Sequence, residues 1–374
     1  MHDRWKRLWP VLKGVLTFAI LLAIGRQFAR DLQKLEQLGL EDRPFALGWL
    51  AAAGLLYLLG LGCSALFWHR LLRAFEQRPP FLGMLRAYYV GHLGKYSPGK
   101  AWALLLRTGL ARAEGVRVGV AALTSTYEVL TSMAAGVLLA AVLFALLGPD
   151  VDSTRDAGTL KQLLTLDVPE ALALSGELLA LFAVVLLLPL AVAVAPPVFN
   201  RLMRRIARPF RQRDAAPLPR LQWPALLQGL ALTAVGWLLL GASLVAVLHA
   251  IMPKPPAWGP RTVGLIAAYL STAYVAGFLI VIVPGGLGVR EFFLTLFLTP
   301  ELAHLCGADD GRLYAVWAAV LLRLVWTAAE VPTAGVLYLL RRRPRPAPGA
   351  AAGARPVPSL AIQTGEEREG DGEL

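Results

Sequence analysis

Long apolar stretches separated by short polar segments set the pattern of this chain, and Pro-Gly sequences break two of the stretches. The breaks lie at residues 93–100 (LGKYSPGK) and 281–291 (VIVPGGLGVRE). A helix in lipid cannot leave backbone groups unpaired, so such a break is tolerated only where protein or a water-filled cavity covers it. Paired interruptions in two halves of a membrane protein also point to a transporter's binding site. Both breaks are therefore candidate functional sites.

The uninterrupted apolar stretches predict full membrane spans, because one helical crossing needs about 20 apolar residues. The predicted spans are residues 8–24, 46–68, 118–147, 172–195, 224–251 and 313–340. The broken stretch 81–106 is too short for two crossings and favours a re-entrant hairpin. The same form is predicted for 263–298, with two short crossing helices as the alternative. The expected fold is an all-α polytopic membrane protein with about six full spans and two re-entrant or broken hairpins.

Composition agrees with a membrane location. Hydrophobic residues make up 56% of the chain and the mean hydropathy is +0.57, well above the values of soluble domains. The formal charge of +12 could indicate nucleic acid in a soluble protein. Here the basic residues lie between spans, where orientation and anionic lipid explain them better, so no nucleic-acid partner is expected. Cys63 and Cys306 form no disulfide or metal pattern, and no cofactor is expected.

Clusters of arginine set the predicted orientation. One lies at 201–220 and another at 341–345, and such clusters mark cytoplasmic segments. Both termini are then cytoplasmic and 148–169 is external. The membrane domain, 1–341, divides into halves 1–148 and 170–341 of opposite topology, which is the inverted-repeat plan of many transporters. Residues 342–374, rich in Pro, Ala, Gly and then Glu, predict a disordered cytoplasmic tail.

Residues 94–101 (GKYSPGKA) nearly match a nucleotide-binding P-loop. Ala101 lacks the hydroxyl that holds magnesium, Pro98 lacks a backbone donor, and no strand precedes the motif, so nucleotide binding is rejected. A lipid phosphate fits better, because a broken helix offers free N–H groups and a positive helix end. Lys100, directly after Pro-Gly, is assigned a functional role, with Lys95 as a nearby charge. Arg107 is interpreted as a side chain that snorkels to the interface.

Two ionisable residues, Glu128 and Arg323, lie near the middle of predicted spans. Glu128 and Arg323 lie about ten residues into their helices from opposite ends, and the inverted plan puts them at similar depth. Charges in lipid usually face the bundle interior and a partner. We expect the two to be coupled, as a structural ion pair or in a substrate or proton role. Glu330 shares a helix face with Arg323.

The chain resembles the transmembrane, flippase-like domain of the lysylphosphatidylglycerol synthases, and bacterial membrane proteins that contain that domain alone. The matching residues are 94–102 with Arg107, 110–116, Tyr127-Glu128 and 284–291 (PGGLGVRE). The resemblance extends to about residue 340. No aminoacyl-transferase domain follows, so lysyl transfer from tRNA is not supported and no enzyme activity is expected. The resemblance implies movement of a phospholipid or lipid-linked head group between leaflets of the bacterial inner membrane.

The candidate substrate-binding residues lie at the two breaks and at the charged positions inside the spans. They are Tyr96, Lys100, Glu128, Gly285, Gly286, Gly288, Arg290, Glu291 and Arg323. We expect Lys100 and Arg290 to form a positively polarised cavity with the hairpin tips, where glycine permits close backbone approach. Glu291 would hold Arg290 in place or be displaced by the anion. Transport of a small amphipathic solute, or a non-transporting partnership with a cell-envelope enzyme, are the alternatives.

Overall fold

The computed structural model describes residues 45–96, 101–148, 176–207, 220–279 and 289–340, with the isolated positions Arg26, Ala29 and Gln33. These ranges are almost entirely helical and include no strand. The predicted span 8–24, the tips of both breaks and the predicted tail 342–374 lie outside them. The described helices belong to one compact unit, which ends at Leu339.

Ten α-helices and one short 3-10 turn lie in these ranges. The helices are α1 (Leu47–Ala74), α2 (Phe81–His92), α3 (Ala101–Ala113), α4 (Val118–Leu147), α5 (Gly176–Val194), α6 (Pro196–Ala207), α7 (Trp223–Ile251), α8 (Pro260–Leu279), α9 (Val289–Cys306) and α10 (Ala308–Leu339). The turn η1 (Leu93–Tyr96) follows α2 directly.

Six of the described helices are long and apolar enough to cross a membrane: α1, α4, α5, α7, α8 and α10. The prediction of an all-α polytopic membrane protein is confirmed. Five of the six coincide with predicted spans. The sixth is α8, the helix before the second break. We call α2 and α8 the first limbs of the two broken stretches and α3 and α9 the second limbs. The 20 residues of α8 extend about 30 Å, enough for the hydrocarbon core.

The first broken stretch consists of shorter helices. α2 has 12 residues and α3 has 13, so neither reaches across a bilayer at about 1.5 Å per residue. They pack against each other. The two broken stretches therefore differ in the length of their first limb.

Glycine sets the distance between the two most extensively packed spans, α1 and α7. A Cβ atom on Gly236 would lie 3.0 Å from the Gly60 carbonyl oxygen, and one on Gly60 would lie 3.0 Å from the Gly236 oxygen. Small residues at such a crossing allow the backbones of membrane helices to pack closely. Farther along the contact, the Ser243 hydroxyl donates to the Ala53 carbonyl oxygen at 2.8 Å.

The helix contacts repeat between the two halves of the chain. The first limbs contact the last span of the other half, α2 on α10 and α8 on α4. The second limbs contact the span that follows them, α3 on α4 and α9 on α10. As a result, both broken stretches lie between α4 and α10.

Helix α5 is peripheral by comparison. It packs on α4 and exposes large apolar side chains, including Leu181 at 58% and Leu188 at 61%. A helix with apolar residues all round and a largely exposed surface is suited to contact with lipid tails.

The glycine crossing predicts a position-specific loss of stability. Gly236→Leu should lower the apparent melting temperature in detergent, because the added side chain meets the α1 backbone. Gly335→Leu on α10 is the matched control, since nothing lies within 4 Å of its added Cβ. Equal melting temperatures for the two variants would contradict the close crossing.

Candidate head-group cavity

A cavity of about 500 Å³ lies among the broken stretches and the spans α1, α4, α7, α8 and α10. Its wall includes the apolar residues Leu61, Val129, Met133, Leu240 and Phe278. The same wall includes the ionisable residues His92, Lys95, Arg107, Glu128, Arg290, Glu291 and Arg323. Such a combination of apolar surface and a few convergent polar groups is typical of a ligand site.

A buried ion pair joins α3 to α4. Arg107 Nη1 donates to Glu128 Oε2 at 2.7 Å, and the Tyr88 hydroxyl donates to Glu128 Oε1 at 3.0 Å. The Arg107 guanidinium also lies over the Tyr88 ring, 3.9 Å from its centroid. Arg107 is 4% exposed and Glu128 is 2% exposed. The interpretation of Arg107 as a snorkelling residue is therefore wrong, because α3 packs on α4 and directs it inward.

A second ion pair joins the first broken stretch to α10. Lys95 of η1 pairs with Glu330, whose Oε1 atom also accepts a hydrogen bond from the Tyr57 hydroxyl at 2.5 Å. Beside this pair, the hydroxyls of Tyr96 and Thr327 are hydrogen-bonded at 2.8 Å. These contacts fix the last turn before the break, and Tyr96 lies where the sequence predicts, at the cavity.

A third ion pair joins α9 to α10, between Glu291 and Arg323. The expected pairing of Glu128 with Arg323 is wrong, because Glu128 is bound by Arg107 and Tyr88. Glu291 likewise pairs across to α10, although the sequence suggests that it restrains its neighbour Arg290. Arg107 of α3 and Glu291 of α9 thus each form an ion pair with the span that follows their helix, α4 and α10 respectively.

Arg290 differs from the other cations of the cavity. Its guanidinium lies 4.8 Å from the centroid of the Tyr274 ring, and its Cγ occupies the space next to Gly277, where a Cβ would approach to 2.5 Å. Among the described residues it has no carboxylate partner, and its Nε has no hydrogen-bond acceptor. Within the described part of the chain, the cavity wall thus has four cations and two carboxylates, if His92 is neutral, and Glu330 pairs with Lys95 from outside that wall.

Five of the predicted site residues line this cavity, and none of the described ones lies elsewhere. They are Tyr96, Glu128, Arg290, Glu291 and Arg323. Lys100, Gly285, Gly286 and Gly288 lie outside the described residues. By contrast Tyr127, next to Glu128, points toward α5 and α6, donating to the Val194 carbonyl oxygen at 2.9 Å.

The predicted site omitted Lys95, Arg107, His92 and Glu330. His92 lines the cavity, and its Nδ1 atom lies 3.3 Å from Arg107 Nη2. The spacing of Arg323 and Glu330 contains a usable signal, because residues seven apart share a helix face. Among the described residues, no cluster of three His, Cys, Asp or Glu side chains could hold a metal ion.

Comparison with known proteins gives one result. The family model of the lysylphosphatidylglycerol synthase TM region matches residues 11–325, most of the chain and all the ionisable residues that line the cavity. No curated protein matches the chain.

The buried ion pair between Arg107 of α3 and Glu128 of α4 predicts thermodynamic coupling. Glu128→Gln should destabilise the protein by about 3–5 kcal/mol, because it leaves the Arg107 charge buried without its partner. Arg107→Gln in the Glu128→Gln background should then add little further loss, whereas Arg323→Gln in that background should add its full effect. Thermal unfolding in detergent measures both. Additive losses for Glu128 and Arg107 would contradict the pairing.

Proposed function

Because the chain belongs to the lysylphosphatidylglycerol synthase TM region family, we propose that it moves an anionic phospholipid or lipid-linked head group between the leaflets of the bacterial inner membrane. The family links the chain to lipid metabolism or transport in a membrane. The proposal adds a flippase activity in which the head group enters the cavity between the two broken stretches.

The proposal rests chiefly on Arg290, which lines the cavity and has no carboxylate partner among the described residues. A phosphate that leaves water for an apolar interior needs a compensating charge and hydrogen-bond donors. Guanidinium groups supply both, often in bidentate geometry with phosphate. Lys95, Arg107 and Arg323 are each paired with a carboxylate, and Arg290 is the described cation of the cavity wall left to balance an anion.

The size and wall of the cavity support the same substrate class. Its volume of about 500 Å³ is in the range of sites for small ligands and suits a head group. Apolar residues of its wall, such as Leu240 and Phe278, suit the glycerol ester region and the first methylenes of the acyl chains. The remaining chain length would stay in the bilayer.

We further propose the inverted-repeat architecture, with α1, α4 and the α2–α3 pair equivalent to α7, α10 and the α8–α9 pair. The repeated packing of limbs on spans supports it. Alternating exposure of one central site to the two leaflets would follow from rocking of the two repeats. The three ion pairs between the broken stretches and the spans would limit how far each repeat can move.

Removal of the unpaired charge is the direct test of function. Arg290→Ala should reduce movement of a fluorescent phosphatidylglycerol in proteoliposomes to the level of protein-free vesicles, since the other described cations that line the cavity are each paired with a carboxylate. The variant should stay folded and monodisperse. Arg312→Ala is the matched control, since Arg312 is exposed and lies outside the cavity. Normal movement by a folded Arg290→Ala protein would contradict the proposal.

The orientation has a separate test. With Cys63 and Cys306 replaced by serine, single cysteines at Ser153 and Ala215 should react with membrane-impermeant reagents from opposite sides. Ser153 should be labelled from the outside and Ala215 from the cytoplasmic side. Labelling of both from one side would contradict the proposed topology.

A further inference from the structure

Helix α6 is the most amphipathic of the described helices. It follows α5 after a break at Ala195, because Pro196 and Pro197 have no N–H groups to continue the hydrogen bonding of α5. Its sequence, PPVFNRLMRRIA, has three arginines and no acidic residue. With 12 residues it is too short to cross a bilayer. Its environment must therefore differ from that of the spans.

One face of α6 is fixed to the bundle. Phe199 is 2% exposed, and its ring centroid lies 4.5 Å from that of Tyr127 on α4. The Asn200 amide nitrogen donates to the Leu221 carbonyl oxygen at 2.9 Å, and the Leu221 N–H donates to Asn200 Oδ1 at 3.0 Å. Met203, on the same face, packs against the hydrophobic core. The orientation of α6 about its own axis is therefore set, and its opposite face is turned away from the bundle.

The outer face of α6 has two kinds of side chain in separate stripes. Arg201, Arg204 and Arg205 are exposed, and none of the three has a carboxylate partner among the described residues. We call them the basic stripe. Val198 and Leu202 are 42% and 48% exposed and form the apolar stripe. At about 100° per residue, the two apolar residues are neighbours on one side of this face and the arginines lie on the other.

The residues that Asn200 holds next to α6 are suited to the edge of a membrane. Trp223, two residues after Leu221, begins α7 and is 56% exposed. Exposed tryptophan at the end of a span is typical of the interface between membrane and water. Arg220, which precedes Leu221, is also exposed. The contact between Asn200 and Leu221 therefore joins α6 to a segment with the composition of the head-group level.

The chemistry of the outer face fits the anionic surface of a bilayer. A short helix with an apolar side and a basic side lies in the plane of the interface, with the apolar side at the boundary between head groups and acyl chains. Arginine binds phosphate well, because its planar guanidinium presents several donors. Leu188 and Val192, near the end of α5, are 61% and 60% exposed. Because α6 directly follows this lipid-facing surface, its exposed apolar stripe favours a bilayer over a soluble acidic protein.

We propose that α6 is an interfacial helix that binds the anionic surface of the bilayer. Its apolar stripe enters the acyl boundary, and its basic stripe binds lipid phosphates. No residue of either stripe lines the cavity, so this surface is separate from the head-group site and does not depend on lipid movement. Through Phe199 and Asn200, it fixes α4 and the start of α7 to the head-group level.

Fluorescence quenching in nanodiscs of the full-length protein tests the position of α6. A fluorophore is attached to a single cysteine at Leu202, with Cys63 and Cys306 replaced by serine. Lipids with a nitroxide near the carboxyl end of the acyl chain quench at the acyl boundary, whereas iodide quenches from water. We expect strong quenching of this label by the nitroxide lipids and little quenching by iodide.

The charge of the quenching lipid tests the basic stripe. At equal mole fractions, nitroxide-labelled phosphatidylglycerol should quench the Leu202 label about fivefold more than the phosphatidylcholine form, the factor expected for one arginine near an anionic surface. Replacement of all three arginines by glutamine should abolish this preference. Replacement by lysine should preserve it, because the attraction depends on charge. A label at Leu188 on α5 is the matched control and should show no preference.

Three results would overturn the proposal. Quenching of the Leu202 label by iodide alone would place α6 in water. Protection from both quenchers would show that another protein covers the helix. Equal quenching by the two lipids, or a preference that persists in the folded glutamine variant, would show that the basic stripe does not bind anionic lipid.

Discussion

The cost of burying charge in an apolar interior constrains the whole centre of this protein. An ionised group transferred from water to such a medium needs a partner, and losing one member of a buried pair is strongly destabilising. Lys95, Arg107 and Arg323 each have a carboxylate from another helix. Each pair therefore joins two segments of the bundle. Arg290, whose guanidinium lies over the Tyr274 ring, is the described cation of the cavity wall that has no carboxylate partner among the described residues.

Helix α10 connects the two broken stretches through this same electrostatic arrangement. Arg323 binds Glu291 of the second stretch, and Glu330 binds Lys95 of the first. The two α10 residues are seven apart, which places them on one face and about 10 Å apart along the axis. Movement of either stretch would therefore act on the same helix. The close crossing of α1 and α7 at Gly60 and Gly236 supplies a tightly packed contact beside them.

Much of the fold follows from hydropathy, and much of the site does not. Five predicted spans coincide with helices because apolar length alone specifies a crossing, and described residues that flank the two Pro-Gly breaks line the cavity. The partner of each buried charge is harder to predict from the sequence. Glu128 and Arg323 are expected at the same depth in the membrane, yet each pairs with a different residue. Arg107 has the sequence context of an interface residue, and only the packing of α3 on α4 identifies it as buried.

The central claim is that the cavity accepts an anionic head group in preference to a neutral one. A photoreactive residue at Met133 in the cavity wall, and another at lipid-facing Leu181 on α5, report directly on what each position contacts. In nanodiscs with equal amounts of phosphatidylglycerol and phosphatidylcholine, Met133 should crosslink mainly phosphatidylglycerol, while Leu181 should crosslink both in the ratio of the bilayer. The same bilayer ratio at both positions would contradict the claim.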